Sequence, residues 1–414
     1  LPIRLLDNPK IIRLLEALRA TGGETRIVGG AVRDSLLGRA PHEIDLATTA
    51  LPEAVTKAAA AAGLKSVPTG VEHGTITVVV EGTPFEVTTL REDVETYGRH
   101  AKVRFGDDFE TDALRRDFTI NALSLSQDGK LHDYAGGLAD LEARRVRFIG
   151  DPAVRIAEDH LRVLRFFRFH AAFGEGALDA AGLHAAIIAR ASLAKLSGER
   201  IRAETLKLLA ARRAVEVARE ISQAGVLEVV VGATFPARLA RLAAVEATLA
   251  HAVDPLLRLG ALAALIPEDA DRLRERLRLS NAEHRRLAHA TRLLEGLHGA
   301  ASPPSELELT RLLFEHGRQS ARDALTLAHA ESSAAPDAEF WLRAARFLAE
   351  ASAPDFPVKA ADLMARGLSP GRALGAVLKE LQAKWIRAGF PRDPATVTRL
   401  VEEATREALL PKSQ

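Results

Sequence analysis

The sequence predicts an α+β protein: a head in which strands and helices mix, followed by a longer stretch that is helical throughout. Three observations carry this. Up to about residue 150, short β-branched and aromatic runs alternate with helix-like ones. Past Asp151 the chain becomes rich in Ala, Leu and Arg, with few β-branched runs. Proline-bearing stretches, ASPPSE, APDFPV and GFPRDP, then interrupt the helical periodicity. A chain of 414 residues is long enough for several cores. The expected division is a head over 1–150, a helical neck over 151–212, a helical body over 213–300 and a helical tail over 301–414.

In chain order, TRIVGG, EIDLAT, GTITVVV, PFEVTTL, NALSLSQ and RVRFIG are the strand candidates of the head. Gly29-Gly30 ends the first and opens a helix, AVRDSLLG. A second helix, PEAVTKAAAAAG, has Pro52 near its start and stops at Gly63. His73, in VEHGTITV, reads as a strand-end histidine with no role. From Arg91 to Thr111 the sequence is long, charged and weakly periodic, which predicts a mobile loop. In DALRRDFTINALSL a helix hands over to a strand near Arg115, Arg116 and Asp117. The segment RIAEDHLRVLRFFRFHAAFG reads as one helix, with Asp159, Arg162, Arg165 and Arg168 in a row and Leu161, Val163, Leu164, Phe166, Phe167 and Phe169 buried. LSGERIRAETLKLL opens a further helix, with Ser197 as its cap and Glu199 and Arg200 as structural residues.

Lys and Arg total 56 against 55 Asp and Glu, so any polyanion must be met by a local patch. There is no cysteine, which excludes a disulfide framework and zinc ribbons and fits a reducing, cytoplasmic setting. No apolar run reaches the length of a membrane span, and the opening LPIRLLDNPKIIRLL is too charged for a secretory signal. The first residue is Leu, so the natural initiator is expected to lie outside this chain.

The candidate chemistry gathers in the head. Alternate strand residues share a face, so Glu43 and Asp45 are expected to project together with Ile44 turned inward. Two such carboxylates repel unless a cation sits between them, and Mg²⁺ is held by one or two carboxylates plus substrate phosphates. Free backbone N–H groups at Gly29 and Gly30 face an anion, within reach of Arg33. Glu86, flanked by Phe85 and Val87, is either an edge residue facing water or a third carboxylate beside the first two. Arg115 and Arg116 offer guanidinium forks to phosphate, and Asp117 can accept from a ribose hydroxyl; a charged helix end is the plainer reading. The row of Asp159, Arg162, Arg165 and Arg168 is either a solvated stripe or the wall of an anionic site. In the second case, an acceptor-only Asp159 and a donor-only Arg162 match the amine-beside-ring-nitrogen edge that cytosine and adenine share. Uracil and guanine would leave buried groups unpaired.

GGAVRDSLLG, the E-x-D pair, RRDFTINAL, EDHLRVLR and LSGERI follow in that order over about 26–207. Together they resemble the motif series of class II tRNA nucleotidyltransferases, the bacterial and eukaryotic CCA-adding enzymes. The resemblance implies a polymerase-β-like nucleotidyltransferase head. It also implies addition of C, C and A to the 3′ end of tRNA from CTP and ATP, by two-metal transfer with Mg²⁺. Glu43, Asp45 and Glu86 would be the catalytic carboxylates, with Glu43 and Asp45 on the metal. Gly29, Gly30, Arg33, Arg115, Arg116, Asp117, Asp159, Arg162, Arg165 and Arg168 would bind nucleotide, and the tail would bind tRNA. A working loop at Arg91–Thr111 favours the full CCA product. The partners implied are tRNA, CTP and ATP, with no membrane, in a monomer or weak dimer.

One position departs from the family, which has Asp where this chain has Glu43; the extra methylene moves that carboxylate outward. Three other readings stand beside the first. A bacterial poly(A) polymerase shares the head motifs but resembles a chain with a GRRFRL-type stretch and a strongly basic tail, both lacking here. An enzyme adding only CC or only A is the second. Glu43 keeps a third, a non-catalytic RNA or nucleotide binder.

Overall fold

The computed structural model describes residues 4–70, 74–97 and 100–409; His73 lies outside them. The head opens with helix α1 (Pro9–Arg19), strand β1 (Thr25–Val28), helix α2 (Gly30–Leu36), strand β2 (Asp45–Thr48) and helix α3 (Pro52–Ala61). Strands β3 (Lys65–Gly70), β4 (Thr75–Val80) and β5 (Thr83–Thr89) follow. Next come β6 (Arg91–Tyr97), β7 (His100–Phe105), α4 (Phe109–Leu114), β8 (Ser124–Ser126), β9 (Leu131–His132) and α5 (Gly137–Glu142).

Seven strands form one sheet in the order β3-β4-β5-β2-β1-β8-β9. Every pair in it is antiparallel except β2 with β5. The parallel step matters for the chemistry. It puts Asp45 opposite Glu86, while the antiparallel step on the other side puts Asp45 opposite Val28. The start of β2 therefore meets the end of β1, just before the glycine pair.

The structure revises several sequence expectations. KSVPTG forms β3, an edge strand in which Pro68 is tolerated because only one side of the strand is paired. RVRFIG makes no strand; Phe148 forms a lone bridge with Phe118, and their rings lie 4.9 Å apart. Its backbone instead braces the turn at 117–119, through Thr119 N to Arg147 O at 3.1 Å and Ile149 N to Asp117 O at 3.1 Å. Most of the stretch expected to be a loop is the antiparallel ribbon β6–β7, a separate two-stranded sheet closed at its base by Gly106 N to Leu90 O at 2.9 Å.

Helices α6 (Pro152–Glu158), α7 (Arg162–Phe173), α8 (Ala180–Ala189), α9 (Gly198–Ala210), α10 (Ala214–Gln223) and α11 (Val226–Val231) continue the first of two compact units, Leu1–Pro236 with Leu273–Leu279. The aromatic seam of α7 seals against the head, with Phe118 5.1 Å from Phe169 and Phe148 5.3 Å from Phe166. The later segment belongs to this unit by direct contact. Arg276 Nε donates to Val230 O at 2.9 Å, and a Cβ on Gly198 would lie 2.6 Å from Arg276 O. The second unit comprises Ala237–Arg272 and Ser280–Gln414. Its elements are all helices. One of its cores is built around Trp341, whose ring stacks on His329 at 4.9 Å. Among the described residues no helix is long and apolar enough to cross a membrane.

Candidate active site

The site begins with a backbone requirement. β1 ends at Val28, and Gly29 turns the chain with φ 69° as the cap of α2. That conformation favours glycine, and space enforces it: a Cβ there would lie 2.8 Å from Arg116 Nη1. Gly30 then starts α2, and Arg33 N donates back to Gly29 O at 3.1 Å.

A cavity of about 560 Å³ opens at this turn. Every sequence-predicted site residue lines it except Glu86: Gly29, Gly30, Arg33, Glu43, Asp45 and Arg115 through Asp117 from the head, with Asp159, Arg162, Arg165 and Arg168 from the neck. Seven arginines and four carboxylates lie on its wall, a balance that favours an anionic occupant.

The carboxylate edge differs in detail from the expectation. Glu43 is not in a strand; β2 starts at Asp45, and Glu43 sits in the irregular stretch before it. Ile44 is half-buried rather than part of the core. The two carboxylates still share the cavity. Partial burial, then Glu86 and then Glu43 push the Asp45 pKa up, while Arg116 pulls it down. Glu86 thus acts on Asp45 across the β2–β5 register without reaching the cavity wall. The expected three-carboxylate set is not ready-made: among the described residues no group of three or more Asp, Glu, His or Cys side chains is gathered closely enough to hold a metal.

The phosphate-side arginines are all held. Arg33 is buried, donating through Nε to Asp34 Oδ1 at 2.9 Å and through Nη1 to Asn121 Oδ1 at 2.5 Å, with its guanidinium 4.0 Å from the Phe173 ring. Burial pulls its pKa down, with Asp34 opposing. Arg115 Nε donates to Asp112 Oδ1 at 2.9 Å, and Arg116 Nη2 to Asp112 Oδ2 at 3.1 Å. Burial disfavours the Asp112 charge, but the two arginines outweigh it and hold its pKa below the ordinary value.

The neck wall carries the main correction. Asp159 is not on a helix with the arginines; it lies at the break between α6 and α7 in an extended conformation, φ −151°. Its Oδ1 accepts from Leu161 N at 3.1 Å, so the carboxylate serves the backbone that a continuous helix would have satisfied. Its Oδ2 accepts from Arg200 Nη2 at 2.6 Å. Arg162 is held by Glu158 and by Arg155 O at 2.9 Å. Arg165 donates to Asp117 Oδ2 from Nε at 2.7 Å and from Nη2 at 2.6 Å, and Arg168 Nε pairs with Glu204. Burial works against the Arg165 charge, yet Asp117 and Glu204 raise its pKa above the usual arginine value. For Asp117 the same balance holds: burial opposes its charge, while Arg165 and Asn121 bring its pKa down.

Sequence reasoning missed three residues of this arrangement. Arg200, read as structural, lines the cavity and grips Asp159. Asn121 lines it too, and Glu204 holds Arg168 from behind. Only their place inside the quoted motifs hinted at them. Ser197 occupies the cap position of α9 as expected, but its side chain makes no capping bond.

Comparison with known proteins gives two family matches. Residues 25–147 match the Poly A polymerase head domain, and 183–235 match the Probable RNA and SrmB-binding site of polymerase A. The chain is 34% identical over 402 residues to CCA tRNA nucleotidyltransferase 1, mitochondrial, of Danio rerio, covering 92% of this chain and 87% of that protein. It is 31% identical to the CCA-adding enzyme of Limosilactobacillus fermentum, covering 94% and 95%. Among solved structures, the Bacillus stearothermophilus CCA-adding enzyme in complex with CTP superposes with a TM-score of 0.75 at 25% identity, covering 97% of this chain and 99% of that one. The Thermotoga maritima CCA-adding enzyme complexed with tRNA shares the fold, with a TM-score of 0.69 at 20% identity over 98% of each chain.

Proposed function

Because the chain belongs to the class II CCA-adding tRNA nucleotidyltransferases, we propose that the head–neck cavity binds CTP and ATP and is where C, C and A are joined to the 3′ end of tRNA. The observation that carries this is the single cavity with an acidic edge on one side and paired arginines on the other. The models named for polymerase A match only residues 25–147 and 183–235, whereas relatives named for CCA addition match nearly the whole chain.

In this reading Glu43 and Asp45 hold Mg²⁺. Their fit is electrostatic: burial, then Glu86 and Glu43, raise the Asp45 pKa, and a hard dication offsets that cost of its charge. Two protein carboxylates suffice when phosphate oxygens complete the shell. When bound, the metal supplies a more acidic 3′-hydroxyl and neutralises charge on the departing pyrophosphate. Glu86 tunes Asp45 through the sheet. The N–H groups after Gly29, with Arg33, Arg115 and Arg116, meet the triphosphate. Asp117 lies on the ribose side, but its oxygens already accept from Phe118 N, Asn121 and Arg165, so it shapes that side through Arg165 rather than by accepting the ribose hydroxyl as the sequence suggested.

Asp159 and Arg162 select the base. Among the described residues each Asp159 oxygen accepts one protein bond, which leaves a lone pair on each for an exocyclic amine. The bonds of Arg162 among the described residues run from Nη1, so Nη2 can donate to a ring nitrogen. The ribbon β6–β7 is the part proposed to move between C and A. The helical tail, 301–414, is assigned to tRNA, with affinity falling steeply as salt rises.

The test is incubation with tRNA lacking its terminus plus labelled CTP and ATP. Full CCA is the expected product; CC alone, A alone, a long A tail or no incorporation each overturn it in a different direction. A companion Glu43→Asp variant is expected to raise kcat a few-fold, since the shorter side chain draws the carboxylate back toward Asp45.

A further inference from the structure

Asn121 stands in the 3-10 turn Thr119–Asn121, lines the cavity and is 7% exposed. Its amide has two unlike ends, and each meets a group that can take only one of them. Arg33 offers donors and no acceptor, while an ionised carboxylate offers acceptors and no donor. Only one orientation satisfies both. Oδ1 accepts from Arg33 Nη1 at 2.5 Å, and Nδ2 donates to Asp117 Oδ1 at 3.0 Å. The backbone carbonyl of Asn121 accepts from Arg116 Nη1 at 3.4 Å.

The chain of contacts runs on from there. Asp117 Oδ1 also accepts from Phe118 N at 2.9 Å, and its Oδ2 takes both bonds from Arg165. The four lone-pair positions of that carboxylate are then in use, so its rotation fixes where Arg165 points. The turn itself is held from behind. Thr119 Oγ1 donates to the buried Asp140 at 2.6 Å, and a Cβ on Gly137 would lie 2.2 Å from Thr119 O. Little backbone movement is available to compensate for a changed side chain.

We propose that Asn121 is a positioning residue that ties Arg33, on the phosphate side, to Asp117, on the ribose side, and through it to Arg165 on the neck wall, so that both ends of the nucleotide meet one pre-set frame. This rests on the reading of the cavity as the CTP and ATP site. Asn121 acts through those neighbours rather than on the reacting atoms. Its signature is therefore in nucleotide affinity more than in turnover.

Asn121→Asp keeps the size of the side chain and the acceptor facing Arg33. At low pH the introduced carboxyl and Asp117 share a proton, and the O–H donates as the amide did. As pH rises through the apparent pKa of the pair, the donor is lost and two like charges face each other. The other charges around the pair are Arg33 and Asp34 from α2, Asp112 and Arg116 at α4, Arg162, Arg165 and Arg168 from α7, and Glu204 from α9. Asn121→Leu removes both polar ends at similar size and does not titrate.

The experiment measures KM and kcat for CTP and ATP between about pH 5 and 9, with melting temperatures to verify folding and with calorimetric CTP and ATP affinities. At pH 8 both variants are expected to raise KM about tenfold or more, the cost of losing hydrogen bonds to charged groups, with kcat changed far less. The defect of Asn121→Asp should shrink on acidification, and that of Asn121→Leu should not. Unchanged affinity in both variants, or the same defect in both at every pH, overturns the proposal. An unaltered protein that binds nucleotide but incorporates none overturns the proposed activity instead, and the calorimetric comparison still decides the role of Asn121.

Discussion

The acidic edge and the neck wall of one cavity are built on opposite electrostatic plans. At the edge, Asp45 is crowded by Glu86 and Glu43, with Arg116 as its one opposing charge. On the wall, Arg162, Arg165 and Arg168 each have a carboxylate, in Glu158, Asp117 and Glu204. Asp159 has Arg200. The edge is left in need of positive charge, whereas the wall is satisfied before any ligand arrives. A surface that reads a base benefits from such fixed dipoles, because nothing has to be reorganised on binding.

The sharpest way to break this contrast is Asp45→Asn. It is expected to lower CTP incorporation by about three orders of magnitude, the scale of losing several kcal/mol of charge stabilisation, with CTP affinity little affected. The same change should raise the melting temperature by a degree or two without divalent cations. The sign follows from the raised pKa of Asp45: its ionised form costs stability at neutral pH, and removing the charge restores it. Added Mg²⁺ should stabilise the unaltered protein and not this variant. A fall in melting temperature for Asp45→Asn would show that the edge is not strained.

The neck gives the next effect, in stability. His170 on α7 is 1% exposed, accepts from Arg213 Nη1 at 3.0 Å, and has its pKa lowered to about 4 by burial and by Arg213. The unfolded chain takes up the proton first, so stability should fall as pH drops from about 6.5 toward 4, by up to about 3 kcal/mol. Thermal melts of His170→Gln should lack that slope. A smaller and more local effect is expected from Arg200→Ala. With Asp159 released, the preference for CTP over UTP should drop by about tenfold, the worth of one hydrogen bond between charged groups. Competition between the two nucleotides measures it, and an unchanged ratio would mean that Arg200 only braces α9.

How much of this could be read from the chain differs by distance along it. The strand–turn–helix around Gly29 and the pairing of Glu43 with Asp45 are local, and local spacing exposed them. The break at Asp159 was hidden because E-D-H-L-R holds no Gly or Pro and its three-residue spacing mimics a helix row. The residues that finish the wall were less visible still. Arg200 reaches Asp159 across 41 positions, Arg168 reaches Glu204 across 36, and Arg33 reaches Asn121 across 88. No periodicity encodes such partners. The sequence left Glu86 as either an edge residue or a neighbour of Glu43 and Asp45, and the parallel pairing of β2 with β5 sets it opposite Asp45.

The return of Leu273–Leu279 to the first unit has a bearing on how the molecule is made. A growing polypeptide cannot supply Arg276 to Val230 until Ala237–Arg272 has already left the ribosome. Covering of the α11 carbonyls must therefore wait for part of the neighbouring unit, and a fragment cut at Pro236 should emerge with the Val229 and Val230 carbonyls lacking Arg276.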